Sequence, residues 1–177
     1  MSIIVKDEEK ALEKIENACD CYKWVYNQNK PKFLKLDEWL DKESAIFENE
    51  VLNNVSNFPK FKRGQIIKVD FGINIGSELS HTHFAIVLNG DDTLKNDNVT
   101  VVPITSKKGY KRVSLGKILK NVAFNTKKYN LESYAFITQI KTISKKRIFN
   151  DNIKKYVCDD YILDKLDNAI KEYLTNS

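Results

Sequence analysis

Both histidines of the 177-residue chain lie in one short segment, as His81 and His83 on either side of Thr82. An apolar run follows at once, so we expect a buried strand in which positions i and i+2 project to the same face. An unperturbed imidazole titrates near pH 6.5 and can accept or donate a proton at neutral pH. This pair suits general acid–base cleavage of RNA, in which one group takes the 2′-hydroxyl proton and another protonates the leaving oxygen. For an isolated His-x-His pair, however, we prefer the interpretation that one histidine is buried and structural and the other is exposed on a loop.

A metal site is the weaker chemical alternative for the same segment. Glu78 or Asp70 would have to supply a third ligand, and nothing in the spacing marks a ligand cluster. We therefore expect neither a metal ion nor a cofactor.

A second polar segment follows the strand-like residues 99–105. Thr105 and Ser106 supply two hydroxyls, and Lys107 and Lys108 supply two ammonium groups directly after them. Such groups at a strand end can hold a phosphate oxygen and stabilise its charge. Taken alone, the segment is also compatible with an ordinary polar turn.

Further basic and aromatic residues lie along the same part of the chain. Tyr110 and Tyr129 could stack on unpaired bases, or could be ordinary aromatics at strand edges. Lys111 and Arg112 extend the positive surface. A second basic cluster on that surface consists of Lys141, Lys145, Lys146 and Arg147.

Positive charge is concentrated after residue 60. Residues 1–60 hold 9 Lys against 12 acidic residues, a net charge of −3, and residues 61–177 hold 20 Lys and Arg against 12 acidic residues, a net charge of +8. This asymmetry favours a polyanionic partner for the second part. A lysine-rich solvated surface would give the same numbers.

The composition excludes several classes of protein. Hydrophobic residues make up 42% and charged residues 30% of the chain, as in a soluble globular protein. No apolar run approaches the roughly 18 residues of a membrane helix, and the N-terminal segment lacks a signal-peptide pattern. We therefore expect a cytoplasmic protein with no membrane partner. The cysteines, Cys19, Cys21 and Cys158, match neither a disulfide framework nor a zinc site and are interpreted as reduced thiols.

The apolar periodicity predicts two helices followed by a strand-rich region. Residues 7–27 and a segment starting near Asp37 repeat apolar residues at helical spacing, and residues 53–64 form the expected linker. A further helix is expected from Asp159. The predicted domains are a helical N-terminal extension (1–58) and a second domain (59–177). The predicted strands are residues 65–71, 83–89, 99–105 and 133–140, with shorter ones in 112–119 and 142–149.

Several closely spaced strands closed by one helix predict an α+β fold with a small β-barrel. Five segments in a fixed order then point to a family: "KRGQIIKVDFG", "GSE", "AIVLN", "VTVVPITS" and "ITQIKTISKKRI". Over residues 61–174 the chain resembles the MazF/PemK-like toxins of bacterial toxin–antitoxin pairs. Residues 1–58 have no counterpart in that pattern.

The resemblance implies an SH3-like barrel of the MazF/PemK/CcdB kind with a C-terminal helix, which forms a homodimer. It also implies a metal-independent endoribonuclease that cleaves single-stranded RNA through attack by the 2′-hydroxyl. The products would be a cyclic phosphate and a 5′-hydroxyl end. A cognate antitoxin protein would block the RNA groove.

The family pattern also implies roles for individual residues. Thr105 matches the catalytic threonine or serine, whereas His83 stands where the family has a catalytic arginine. We therefore expect His83 as general base or acid, His81 as its partner, and Thr105 as a stabiliser of the phosphate. The expected RNA-binding residues are Ser106, Lys107, Lys108, Lys111, Arg112, Gln139 and Lys141.

Two questions stay open at the level of sequence. A non-catalytic module on the same barrel, binding nucleic acid or a protein in the manner of a gyrase poison, is the alternative to the nuclease. Loss of the arginine would also allow a purely structural or antitoxin-sequestering role. The N-terminal helices are expected to pack on the barrel or across a dimer, and the alternative is an acidic arm that covers the basic groove or docks the antitoxin.

Overall fold

The chain is described by a computed structural model that covers residues 8–52, 58–121, 131–149 and 156–175. Two compact units divide it, Met1–Val51 and Leu52–Ser177. The predicted domain boundary lies after residue 58. Residues 53–57, just before it, lie outside the described residues, so this boundary stays a prediction.

The first unit consists of two α-helices, α1 (Glu8–Asn27) and α2 (Leu36–Leu52), separated by a 3-10 turn at Pro31–Phe33. Acidic side chains occupy the first turn of each helix, where they stabilise the positive end of the helix dipole. Proline fits the first turn of the short helix because an N–H at that position would have no hydrogen-bond partner within the helix.

The two helices bury very little apolar surface. Leu36 and Trp39 of α2 are buried, but no residue of α1 is. On the predicted apolar face of α1, Leu12 and Ile15 are each 60% exposed. A cavity of about 740 Å³ lies between the helices and is lined by apolar residues such as Tyr26 and Leu40. The packing of these helices on the barrel or across a dimer stays a prediction.

The described residues of the second unit form six antiparallel strands, β1 (Ile66–Asp70), β2 (Thr82–Val87), β3 (Asn98–Thr105), β4 (Arg112–Gly116), β5 (Ser133–Phe136) and β6 (Lys141–Ser144). Their order in the sheet is β1-β2-β3-β5-β4, with β6 also paired to β3. A 3-10 turn at Ile137–Gln139 separates β5 from β6, so these two strands pair with successive parts of β3. The predicted strand 133–140 is thus interrupted.

The strands curve around a core without forming a closed ring of ladders among the described residues. An isolated bridge between Val69 and Ile148 brings the segment after β6 back to β1. Both faces of the sheet are covered. Ile66 and Ile86 belong to one apolar cluster, whereas their strand neighbours Ile67 and Ala85 belong to the other.

The last helix, α3 (Asp160–Thr175), covers the first of these clusters. Leu166 is fully buried there, and Ile162 and Ile170 pack beside it. Gly64 allows this approach: its φ is +79°, and a Cβ at this position would lie 3.2 Å from Leu163. The predicted α+β class and C-terminal helix are confirmed. No helix in the described ranges is long and apolar enough to cross a membrane.

Candidate active site

The register of β2 and β3 brings the two strongest candidate residues together. Ala85 lies opposite Pro103 in this antiparallel pair. This is the last pair of the ladder, and His83 and Thr105 each lie two residues beyond it. Both residues line one cavity of about 380 Å³, together with Ser106 and Lys107. The structure therefore unites four of the predicted residues.

The cavity also contains residues that the sequence analysis did not select. Its apolar wall includes Phe84, Ile104 and Leu119, and its polar lining includes Lys68 from β1 and Glu132 beside β5. The sequence carries a signal for Lys68, because it is the only charged residue in "IIKV", whose other members are buried. Nothing in the local pattern marks Glu132.

His83 lies in a partly apolar setting that favours its neutral form. The centroids of its imidazole and of the buried Phe71 ring are 6.4 Å apart. Burial lowers the pKa of His83 below its ordinary value, the backbone groups of Ser80 and Ile104 act in the opposite direction, and charge on His81 lowers it further. At neutral pH this imidazole is therefore a proton acceptor rather than a fixed cation.

His81 does not share the strand geometry expected for the histidine pair. β2 begins at Thr82, and His81 precedes it with a left-handed backbone, φ +71°. Its N–H donates to the carbonyl of Gly72 at 2.6 Å, and its own carbonyl accepts from the N–H of Phe71 at 3.0 Å. The i, i+2 rule fails here because it applies only within extended backbone. His81 does not line the cavity, although its charge acts on His83.

The turn after β3 is held by Arg112. The Arg112 Nη1 atom donates to the carbonyl of Lys107 at 2.8 Å, and the guanidinium stacks 4.1 Å from the centroid of the Phe136 ring. The Thr105 hydroxyl accepts from the N–H of Lys107 at 3.2 Å. A Cβ at Gly109 would lie 3.2 Å from Arg112 Nη1, so glycine leaves the room that the guanidinium needs. Arg112 thus fixes the segment that carries Lys107.

Other predicted RNA-binding residues lie outside the cavity lining. Lys111 pairs with Glu172 of α3 at 3.9 Å, and Lys108 contributes its carbonyl to Arg112 at 3.5 Å. Gln139 Oε1 accepts from the N–H of Leu79 at 2.9 Å and so ties the loop before β2 to the turn between β5 and β6.

The second basic cluster divides into three different environments. Lys141 Nζ lies 5.8 Å from the centroid of the Phe71 ring, and Arg147 Nη1 donates to the Phe71 carbonyl at 3.3 Å. Lys145 is buried in an ion pair with Asp92, so its assignment to a basic surface is wrong.

Of the two tyrosines predicted to stack on bases, Tyr110 is exposed. Tyr129, the other proposed stacking residue, lies outside the described residues.

Metal and thiol chemistry receive no support from the described side chains. Within these residues no group of three or more His, Cys, Asp or Glu could hold a metal ion. Cys19 and Cys21 are exposed, and Cys158 is buried. Burial raises the pKa of the Cys158 thiol to about 12, which keeps it protonated at neutral pH.

The fold and the cavity define a small α+β domain with an imidazole, a hydroxyl and ammonium groups at one end of a strand pair. Residues 62–174 match the PemK-like, MazF-like toxins of type II toxin–antitoxin systems. The chain belongs to this family, which confirms the resemblance found from its motifs.

Solved structures similar to this chain include three toxins or nucleases, and no curated protein matches it in sequence. MazF (Form-I) from Deinococcus radiodurans is 15% identical with a TM-score of 0.49, covering 66% of this chain and 97% of that one. An endoribonuclease from a Mycobacterial species is 15% identical with a TM-score of 0.46, covering 66% and 93%. The Mycobacterium tuberculosis toxin MazF-mt6 is 17% identical with a TM-score of 0.43, covering 62% and 95%.

Proposed function

We propose that this toxin is an endoribonuclease that cleaves single-stranded RNA without a metal ion. One observation carries the proposal: His83 and Thr105, on neighbouring strands, line one cavity with Lys107. This combination supplies a proton acceptor, a hydroxyl donor and a positive charge, which phosphoryl transfer requires. Membership of the toxin family supports the same assignment.

In the proposed reaction His83 removes the proton of the 2′-hydroxyl next to the cleaved bond. The 2′ oxygen forms a bond to phosphorus, and the bond from phosphorus to the 5′ oxygen breaks with its electron pair on that oxygen. That oxygen then takes up a proton, and His81, the partner predicted for His83, is the candidate donor although it lies outside the cavity lining. The products are a 2′,3′-cyclic phosphate and a 5′-hydroxyl end.

The remaining groups act on the charge of the phosphate. The Thr105 hydroxyl donates a hydrogen bond to a phosphate oxygen, and Lys107 supplies an ammonium group nearby. Both act most strongly as negative charge builds up in the transition state. Ser106 lines the same cavity and is the next candidate to contact the RNA backbone.

Incubation of the purified protein with a long single-stranded RNA of known sequence, in EDTA, tests the function. We expect discrete fragments with 5′-hydroxyl ends. His83→Ala and Thr105→Val are expected to slow cleavage by about 10²- to 10⁴-fold. The matched control is Lys95→Met, an exposed lysine outside the cavity. Intact RNA that is nevertheless bound would indicate a nucleic-acid-binding module, and intact, unbound RNA would redirect attention to a protein target.

The partners proposed for the toxin follow from its family. We infer a cognate antitoxin protein that covers the cavity, a homodimeric toxin, and action in the cytoplasm, where the RNA is. Light scattering after size exclusion tests the dimer. Purification of the tagged chain from the cells that encode it tests the antitoxin, and we expect one stable protein complex without RNase activity.

A further inference from the structure

Glu132 is the one carboxylate among the described residues that line the cavity. It directly precedes β5, and its side chain is open to solvent. The ion pairs of the described residues do not include it, although Lys107 lines the same cavity. A carboxylate repels the phosphates of RNA, so its place in an RNA-binding cavity is favourable only where the bound molecule also offers hydrogen-bond donors.

The strand order places Glu132 on the side of Thr105 that faces away from His83. Strand β3 lies between β2 and β5, and Thr105 pairs with Tyr134, two residues after Glu132. His83 comes from β2, on the other side of β3. Strands two positions apart in a sheet are separated by about 9–10 Å. A phosphate held by His83 and Thr105 therefore leaves an adjoining nucleotide room to extend its base toward Glu132.

Apolar side chains beside Glu132 offer a surface for the flat face of a base. Leu131, its neighbour in the chain, is 67% exposed and lines the cavity, as does the half-buried Leu119. The cavity volume of about 380 Å³ lies within the range of about 300–1,000 Å³ that is typical of ligand sites. A base in contact with these leucines would remove their apolar surface from water. The cavity thus combines an apolar wall for one base with a carboxylate at its edge.

The hydrogen-bonding chemistry of the Glu132 carboxylate distinguishes the four bases. An ionised carboxylate only accepts hydrogen bonds, and it can accept from two neighbouring donors at once. In single-stranded RNA the pairing edges of the bases are open to such contacts. Guanine presents N1–H and N2–H₂ side by side on this edge. Adenine and cytosine place a ring-nitrogen acceptor beside their amino group, and uracil places N3–H between two carbonyl oxygens, so a carboxylate favours guanine.

We propose that Glu132 selects guanine at one of the two nucleotides joined by the cleaved linkage, by accepting hydrogen bonds from its N1–H and N2–H₂ groups. This inference rests on the proposed nuclease function. It assigns base selectivity to a residue outside the five sequence segments that resemble the toxin family. A two-bond contact of this kind discriminates against a wrong base by about 10- to 100-fold.

The experiment begins by mapping the cleavage sites of the wild-type protein on a long single-stranded RNA of known sequence. Guanine should be preferred at one of the two positions that flank the cut. Short RNAs with one mapped site then carry guanosine, inosine or adenosine at that position. Inosine keeps N1–H but lacks the N2 amino group, so we expect kcat/KM to fall by about 10-fold with inosine and by about 100-fold with adenosine.

Variants of Glu132 test whether the carboxylate makes this choice. Glu132→Gln keeps the shape but both donates and accepts, which suits the donor and acceptor that adenine presents side by side. Its preference for guanosine over adenosine should fall by about 10- to 100-fold, and inosine should be cleaved as well as guanosine. Glu132→Ala should lose the guanosine preference without gaining adenosine. The matched control is Asp164→Asn, an exposed carboxylate of α3 outside the cavity lining, which should keep the wild-type preference.

The outcomes separate the inference from the function beneath it. A wild-type protein that does not cleave RNA overturns both. Cleavage without guanine beside the cut, or an unchanged guanosine preference in Glu132→Gln, overturns the role of Glu132 and leaves the nuclease intact. An equal loss of rate on all three RNAs in Glu132→Gln would also contradict selection of a base. Melting temperatures of all variants identify misfolding, and Glu132→Ala carries the test if Glu132→Gln does not fold.

Discussion

Lys145 Nζ lies 2.7 Å from Asp92 Oδ1, and both side chains are inaccessible to solvent. The same ammonium donates to the Thr93 carbonyl at 3.1 Å, and Asp92 Oδ2 accepts from the N–H of Phe61 at 2.8 Å. The pair thus joins the entry to β1, the loop between β2 and β3, and the end of β6. Every charge in this buried group has hydrogen-bond partners, which is the condition under which a buried ion pair is tolerated.

Breaking this ion pair should destabilise the fold without touching the cavity. Lys145→Met leaves the Asp92 carboxylate buried without its counter-charge, and we expect a loss of about 3–5 kcal/mol in the free energy of unfolding. Urea denaturation of the full chain measures it. The exposed Lys95→Met should change stability by no more than about 0.5 kcal/mol. An unchanged unfolding midpoint in Lys145→Met would contradict the structural role.

The same pair predicts the response of the fold to acid. Burial by itself would raise the pKa of Asp92, but the hydrogen bonds from Lys145 and Phe61 outweigh it and lower the pKa. A lowered carboxyl pKa stabilises the fold above its unfolded value of about 3.9, and this contribution is lost as pH falls through the folded value. The stability difference between wild type and Asp92→Asn should therefore be constant above about pH 5 and shrink below the unfolded pKa. A difference that grows on acidification would contradict this sign.

The pH dependence of cleavage follows from the environment of His83. Because its pKa lies below the ordinary value of about 6.5, the imidazole remains a competent base at mildly acidic pH. We expect the acidic limb of the kcat/KM profile to fall below pH 6.5. An acidic limb well above pH 6.5 would contradict His83 as the base.

The lowered His83 pKa also affects stability. The unfolded chain binds more protons than the folded chain between the two pKa values, so stability falls as pH decreases from about 6.5. His83→Gln should remove this component and leave the acid loss due to Asp92. Thermal melts of both proteins between about pH 5 and pH 8, which spans the ordinary histidine pKa, provide the measurement.

The order of the helices and strands could be predicted from the sequence, because the apolar residues of each element repeat at the spacing typical of a helix or a strand. It could not predict the break at Ile137–Gln139, since "SYAFITQI" reads as one strand and the break reflects how β3 is shared between two partners. The long-range register decides the site as well. It brings Lys68, the one charged residue in "IIKV", to the cavity lining, and it buries Lys145, which along the chain is simply one of several basic residues.

Gln139 offers a test of whether a predicted RNA contact is instead an anchor. Gln139→Ala removes the acceptor of the Leu79 N–H and should loosen the loop before β2, at a cost of about 1–3 kcal/mol. Gln139→Glu keeps the acceptor and adds a negative charge. Hydrogen exchange of the Leu79 amide reports the anchor, and we expect rapid exchange in Gln139→Ala only. Wild-type exchange in Gln139→Ala, with weaker RNA binding in both variants, would favour a direct contact.

Arg112 distinguishes positioning from charge in the turn that carries Lys107. Its guanidinium both stacks on Phe136 and donates to the Lys107 carbonyl, and a lysine cannot do both. If Arg112 acts by holding the turn, Arg112→Lys and Arg112→Met should lose activity alike, by about 10- to 100-fold, because Lys107 and Thr105 are displaced. If Arg112 instead contacts RNA through its charge, Arg112→Lys should remain close to wild type while Arg112→Met does not. Cleavage rates together with the rate of proteolysis within residues 106–111 decide between these, since only a loosened turn is cut faster.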